Sequence, residues 1–319
     1  MSKPKHKISL VLGSGGARGY AHIGVIRWLE KHDLEIASIV GSSMGALIGG
    51  CFAAGKLEEY ADWASSIRTT DVMRLLDFTL DKSGFVDGTR IIEVLKEFVG
   101  EHAIEELPIS YTAVASDIAR EKEVWINSGS LFEAIRASIA MPFLFTPAQV
   151  AGRALLDGGI LNPVPIAPTF SDPTDFTVAV NLNGPADDDL TSVIKNRNER
   201  EKTGGRKRTL VERFLDQVQE QFSTQSSEGL NMLKIAQQTM DSMQGSIARS
   251  KLAAYPPDVV IDVPQDVAHI MEFDRADGLS ELGYQAAEKK MPQFLNRWEQ
   301  PGEAIASRDE VEQANSEDS

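Results

Sequence analysis

Three short segments of the chain combine residue types that together could break an ester bond. The first is Gly41-Ser42-Ser43-Met44-Gly45, a G-x-S-x-G pattern that sets a serine hydroxyl between two glycines. Between a strand and a helix this pattern is a nucleophile elbow, a sharp turn that presents the serine. Flanking glycines let the chain turn without Cβ clashes, and a helix N-terminus behind Ser43 favours developing negative charge. The plainer reading is a glycine-rich helix cap needed only for close packing. The second segment is Gly13-Ser14-Gly15-Gly16-Ala17-Arg18-Gly19. Consecutive glycines aim several backbone N–H groups into one space and Arg18 adds a fixed positive charge, as an oxyanion hole requires. A dinucleotide-binding loop is the competing reading. Its G-x-G-x-x-G register fails, because counting from Gly13 places Arg18 at the third glycine. Asp33 or Glu35 nevertheless falls about 20 residues on, where a ribose-binding acid would sit. The third segment is Asp157-Gly158-Gly159, a carboxylate beside two glycines that also reads as an ordinary Asp-Gly turn.

A serine nucleophile needs a base. The histidines are His6, His22, His32, His102 and His269, and only His269 follows Asp157, in the Ser…Asp…His order of α/β-hydrolases. It lies in Val267-Ala268-His269-Ile270, with no glycine turn beside it. His22 stands among apolar neighbours and reads as a packed histidine. Asp157 is the better candidate, with one condition. A free aspartate, with a pKa of about 3.9, is a feeble base toward a hydroxyl. It serves only if burial raises its basicity and a rigid contact holds it to Ser43. A largely desolvated Asp157 is therefore the expectation.

The elements that would carry these segments follow from apolar patterning. Ile8–Leu12 and Ile36–Val40 are short apolar runs, each broken at once by glycine and serine, and read as buried strands. Helical patterns follow each, over Arg18–His32 and Ala46 to about Ala54. Strand, helix, strand, helix is a βαβ unit, which builds parallel sheets and brings both glycine turns to one carboxyl edge. Further on, Thr89–Val99 reads as a helix, while Ser110–Ile118 and Glu121–Asn127 read as strands joined by a tight turn. Ser130 and Glu133 form a capping box for a helix that must stop by Met141, because Pro142 disfavours helical geometry before it. Ala154–Leu156, Phe176–Leu182 and Val259–Val263 read as strands and Arg275–Trp298 as a helix. Val72–Phe78 is an apolar cluster, read as core packing in preference to an acyl channel or lid. Lys195–Arg208 holds seven basic residues, two acids and two glycines, and reads as a mobile loop. Leu210–Ala254 reads as a long polar helix, able to lie on a membrane or pair with a second subunit as in a homodimer. Residues 1–298 are expected to form one domain with 184–254 as a loop and helical insertion, followed by an acidic, disordered tail over 299–319.

Composition excludes several classes. With 32 Lys and Arg against 47 Asp and Glu the formal charge is −15, so a concentrated basic surface for nucleic acid is not expected. Hydrophobic residues at 42% and charged residues at 25% fit a globular chain, not a disordered one. One cysteine, Cys51, allows neither an intrachain disulfide nor a Cys-rich metal site. No apolar run approaches the ~18–20 residues of a membrane span, so a reduced, cytoplasmic protein is expected.

Taken together, the three segments resemble the patatin-like phospholipases, in particular the short bacterial members grouped with neuropathy target esterase. The resemblance runs from Ile8 to about Trp298. It includes the glycine loop with Arg18, Gly19-Tyr20-Ala21-His22-Ile23-Gly24-Val25, the elbow at Ser43, Arg136-Ala137-Ser138 before Pro142, and Asp157-Gly158-Gly159-Ile160-Leu161-Asn162-Pro163. Ser14 departs from it, standing where that family's loop usually carries its first glycine. The resemblance implies an α/β/α sandwich with a mainly parallel sheet and hydrolysis of a lipid acyl ester without metal or organic cofactor. It further implies a dyad in which Ser43 attacks and Asp157 takes the proton, with Gly15, Gly16, Ala17 and Arg18 as the oxyanion hole. Independently of the resemblance, the charge of Lys195–Arg208 offers peripheral contact with an anionic membrane at its inner face, but a solvated linker is the favoured reading because such loops are common.

Overall fold

The computed structural model describes residues 6–67, 89–142, 144–193, 227–270 and 272–300. The apolar cluster at 72–78, the basic stretch 195–208, the first part of 210–254 and the tail from 301 lie outside them. In chain order the elements are β1 (Lys7–Leu12), α1 (Ala21–Lys31), β2 (Glu35–Ser42), α2 (Met44–Ala53), α3 (Leu57–Ser66) and α4 (Thr89–Val99). These are followed by β3 (Ser110–Asp117), β4 (Lys122–Ile126), α5 (Leu131–Ser138), β5 (Ala148–Val150) and β6 (Arg153–Asp157). The last are β7 (Phe176–Gly184), α6 (Ser227–Ala254), β8 (Val259–Pro264) and α7 (Ala276–Glu299).

The strands make one eight-stranded sheet in the order β5-β6-β3-β2-β1-β7-β8, with β4 paired to β3. Strands β3, β2, β1, β7 and β8 run parallel, so the carboxyl ends of β1 and β2 lie side by side as the βαβ pattern requires. Alternation along β1 and β7 divides the core between the two faces. Leu10, Leu12, Val178, Val180 and Leu182 face a large cluster that includes Ile23, Val25, Trp28 and Leu29 of α1, Ile48 of α2, and Leu279 and Leu282 of α7. Val11 and Ala179 point the other way, against Val164, Ile166 and Ala248, with Leu252 alongside. The C-terminal part of α6 thus covers the second face of the sheet and is integral to the three layers. Ser130 caps α5 as its capping box predicts, accepting from the Glu133 N–H at 3.4 Å. Among the described residues no helix is long and apolar enough to cross a membrane.

One feature of the pairing was not foreseen and decides the site. Strand β6 is antiparallel to β3, with Ala115 opposite Asp157 and Ser116 opposite Leu156. Strand β2 pairs with β3 only as far as Ser42 opposite Val114, while β4 occupies the other edge of β3 from Ala113 to Asp117. Along one edge of β3, therefore, β2 ends at Ser42 and β6 arrives from the opposite direction to end at Asp157. The two strands meet head to head.

Candidate active site

Ser43 follows directly from the end of β2 and caps helix α2 with φ 55° and ψ −123°. A non-glycine residue held at positive φ stores roughly 1–3 kcal/mol and persists only where its surroundings over-determine it. Two constraints do so here. A Cβ on Gly41 would strike the Gly45 carbonyl and one on Gly45 would strike the Leu12 carbonyl, so both flanks must be glycine for the turn to seat against β1. The Ser43 N–H donates to Ser138 Oγ at 2.9 Å, and Ser138 Oγ donates onward to the Val114 carbonyl at 2.6 Å. The elbow is thereby tied to β3 through a side chain at the last turn of α5.

The head-to-head meeting brings the hydroxyl to the carboxylate. Ser43 Oγ donates to Asp157 Oδ2 at 2.6 Å, and the Gly159 N–H donates to Asp157 Oδ1 at 2.7 Å. The backbone of Asp157 is fixed as well, its N–H bonded to the Ala140 carbonyl at 2.9 Å. Asp157 is 2% exposed. Burial pushes its carboxyl up to about 6, against the opposing pull of the hydrogen bonds from Ser43 and Gly159. The desolvated aspartate expected from the sequence is therefore in place, more basic than a free one by about two pKa units.

The glycine loop lies against both partners. A Cβ on Gly159 would run into Ser14 Oγ, one on Gly158 into the Val114 carbonyl, and one on Gly19 into Met44. The Gly13 N–H is bonded to the Val180 carbonyl at 3.0 Å and that of Ser14 to the Pro163 carbonyl at 2.8 Å. Gly16 holds φ +56°, a conformation open to glycine, and a Cβ there would press on Ile270 at 2.7 Å. Among the described residues the N–H groups of Gly15 and Gly16 meet no acceptor, so both are available to an oxyanion.

The Ala17 N–H and the Arg18 guanidinium, both expected to serve an oxyanion, are bonded within the protein. The Ala17 N–H is spent on the Ile270 carbonyl at 2.9 Å. Arg18 is 1% exposed, and its guanidinium turns into the protein. It donates to the Gly15 carbonyl at 3.2 Å, the Gln265 carbonyl at 2.9 Å and Asp241 Oδ1 at 3.0 Å. Its charge is paired with Asp241, and its donors tie the loop to the surrounding protein.

The histidines are elsewhere. His269 is exposed, although its neighbour Ile270 abuts the glycine loop. His22 is fully buried with Nε2 2.8 Å from the Gly13 carbonyl. Burial pushes the His22 pKa down to about 4, leaving a neutral ring that braces the loop. Among the described residues no group of three or more His, Cys, Asp or Glu is placed to hold a metal ion. Sequence reading gave no role to Ser138, Asp241 or Gln244. Each is an ordinary polar residue on a helix, indistinguishable from a solvated face until the helix is docked.

Known proteins resemble this chain over the segments that build the site. The family model described as patatin-like phospholipase matches residues 10–170, which spans the glycine loop, the elbow and Asp157. The chain is 37% identical to an uncharacterized NTE family protein of Mycobacterium tuberculosis, across 90% of this chain and 92% of that protein. It is 36% identical to a patatin-like phospholipase domain-containing protein of Caenorhabditis elegans, across 50% of this chain and 12% of the other. It is also similar to a Debaryomyces hansenii protein named lysophospholipase NTE1, at 31% identity over 57% of this chain and 12% of that one. The M. tuberculosis match covers nearly the full length of both partners, and the chain belongs to the patatin-like phospholipase family.

Proposed function

We propose that the protein is a lipid acyl-ester hydrolase working through a Ser43–Asp157 dyad. The observation that carries the reading is the 2.6 Å hydrogen bond from Ser43 Oγ to a buried aspartate that no cation neutralises among the described residues. Ser43 Oγ attacks the acyl carbon while Asp157 Oδ2 takes its proton, and the Gly15 and Gly16 N–H groups receive the carbonyl oxygen as it becomes anionic. Collapse expels the alcohol, which leaves with the proton from Asp157. Water then attacks the acyl carbon as the same carboxylate takes its proton, and collapse releases the fatty acid while Asp157 returns that proton to Ser43 Oγ. Family membership and the lysophospholipase name of the yeast relative support a phospholipid or lysophospholipid as the acyl donor.

Hydrolysis of p-nitrophenyl esters from short to long acyl chains tests this reading. Wild type should turn over, Ser43→Ala and Asp157→Asn should lose activity, and His269→Ala should keep it. Loss on His269→Ala in a folded protein would replace the dyad by a triad. Equal feeble rates in all four proteins would make the loops a binding site without chemistry.

A further inference from the structure

Two side chains of helix α6 reach the glycine loop from outside the three segments that carry the proposed chemistry. Asp241 Oδ1 accepts from Arg18 Nη2 at 3.0 Å, and Gln244 Oε1 accepts from Ser14 Oγ at 3.0 Å. Asp241 and Gln244 are three residues apart, so they share one face of the helix. Ser14, Arg18 and Gln244 are all buried. Among the described residues Asp241 is the only acid paired with Arg18. Ser14 is the one residue from Gly13 to Gly16 with a side chain, and Gln244 is the acceptor for its hydroxyl.

The Arg18 contact acts on the peptide that offers one of the two free donors. The Gly15 carbonyl accepts from Arg18 Nε at 3.2 Å. In a planar trans peptide the C=O and N–H point in opposite directions, so fixing the Gly15 carbonyl fixes the Gly16 N–H. A run of glycines has many backbone conformations of similar energy, and bonds from outside must select one. We infer that Asp241 and Gln244 are positioning residues that hold the oxyanion loop in register with Ser43, Asp241 through Arg18 and Gln244 through Ser14. For what the loop stabilises, this rests on the acyl-transfer reading; for the clamp itself it does not.

The test uses the full chain and two independent readouts. The first is kcat and KM for a p-nitrophenyl ester. A group that matters only as the oxyanion forms should change kcat and leave KM alone. Asp241→Ala should lower kcat about 10²-fold with KM within about twofold, the loss expected for a misplaced donor. Gln244→Met leaves the buried Ser14 hydroxyl without an acceptor and should lower kcat about tenfold, and adding Ser14→Gly should recover most of that loss. The second readout is amide hydrogen exchange, which should speed at least about tenfold over residues 13–19 in Asp241→Ala and stay unchanged across β2. Should that variant fail to fold, Asp241→Asn, which keeps an acceptor and drops the charge, carries the same expectation in reduced size. Wild-type kcat and loop exchange in the folded variants would overturn the inference, as would faster exchange throughout the sheet. If wild type and Ser43→Ala prove equally inactive, the hydrolase reading fails, and loop exchange alone decides the clamp.

Discussion

Replacing Asp157 by Asn should make the protein more stable at pH 8 while removing its turnover. Burial holds the Asp157 carboxyl at about 6, against about 3.9 in an unfolded chain. The folded state therefore binds this proton more tightly than the unfolded state. Stability falls as pH rises from about 4 to 6, and the cost is complete above that window. Two pKa units at 1.36 kcal/mol each put it at about 3 kcal/mol. Asn occupies the same volume without the charge. Its Oδ1 can still accept from the Gly159 N–H, and its Nδ2 would face Ser43 Oγ, which can accept. Asp157→Asn should thus gain up to about 3 kcal/mol at pH 8. With about 2.1 cal/mol/K of unfolding entropy per residue over 319 residues, that gain corresponds to a Tm rise of about 4 °C. Calorimetric unfolding of both proteins from pH 8 to pH 4 would measure it, and the gap should close below pH 6. A variant no more stable than wild type at pH 8, or a gap that ignores pH, would refute the reasoning. Its kcat should fall about 10²–10⁴-fold, the usual contribution of a general base.

Three further outcomes follow from the same geometry. The kcat/KM of wild type on a neutral ester should rise with pH through a midpoint at about 6, because Asp157 must be ionised to accept the proton; a flat profile between pH 4.5 and 8 would exclude it as the base. Ser138→Ala leaves the buried Ser43 N–H without its acceptor, so urea unfolding should show a loss of about 1–3 kcal/mol, together with a reduced kcat. Gly45→Ala drives a methyl group into the Leu12 carbonyl and should cost at least about 1–3 kcal/mol in the same urea measurement, with the elbow displaced and labelling of Ser43 by a serine-directed phosphonate abolished.

Ser43, Asp157 and the glycine loop are legible in the sequence because each is a local signal, an apolar run interrupted at once by glycine. The parallel pairing of β1 and β2 is legible for a similar reason, since a short helix between two strands leaves little choice of direction. Strand β6 is different. Nothing in Arg153–Asp157 states whether it runs with β3 or against it, and only the distant pairing with Ala115 and Ser116 decides. Arg18 shows how a charge can be legible while its direction is not. Its charge is visible in the sequence, but its direction depends on Asp241, more than two hundred residues away. Ala17 likewise sits in the right loop, and its donor is lost to the Ile270 carbonyl, an acceptor that no local pattern announces.

The meeting of β2 and β6 along one edge of β3 also sets when the protein becomes reactive. The hydroxyl and its carboxylate are separated by 114 positions in the chain. Contacts of such separation form only after the intervening chain has closed, and they belong to the slow part of folding. Until β6 has come in against β3, Ser43 is an ordinary alcohol with no base beside it. On the proposed dyad, a growing or partly unfolded chain carries no activated serine, and acyl transfer would switch on only once β6 is paired. Labelling of Ser43 by a phosphonate during refolding should accordingly report the arrival of β6 against β3.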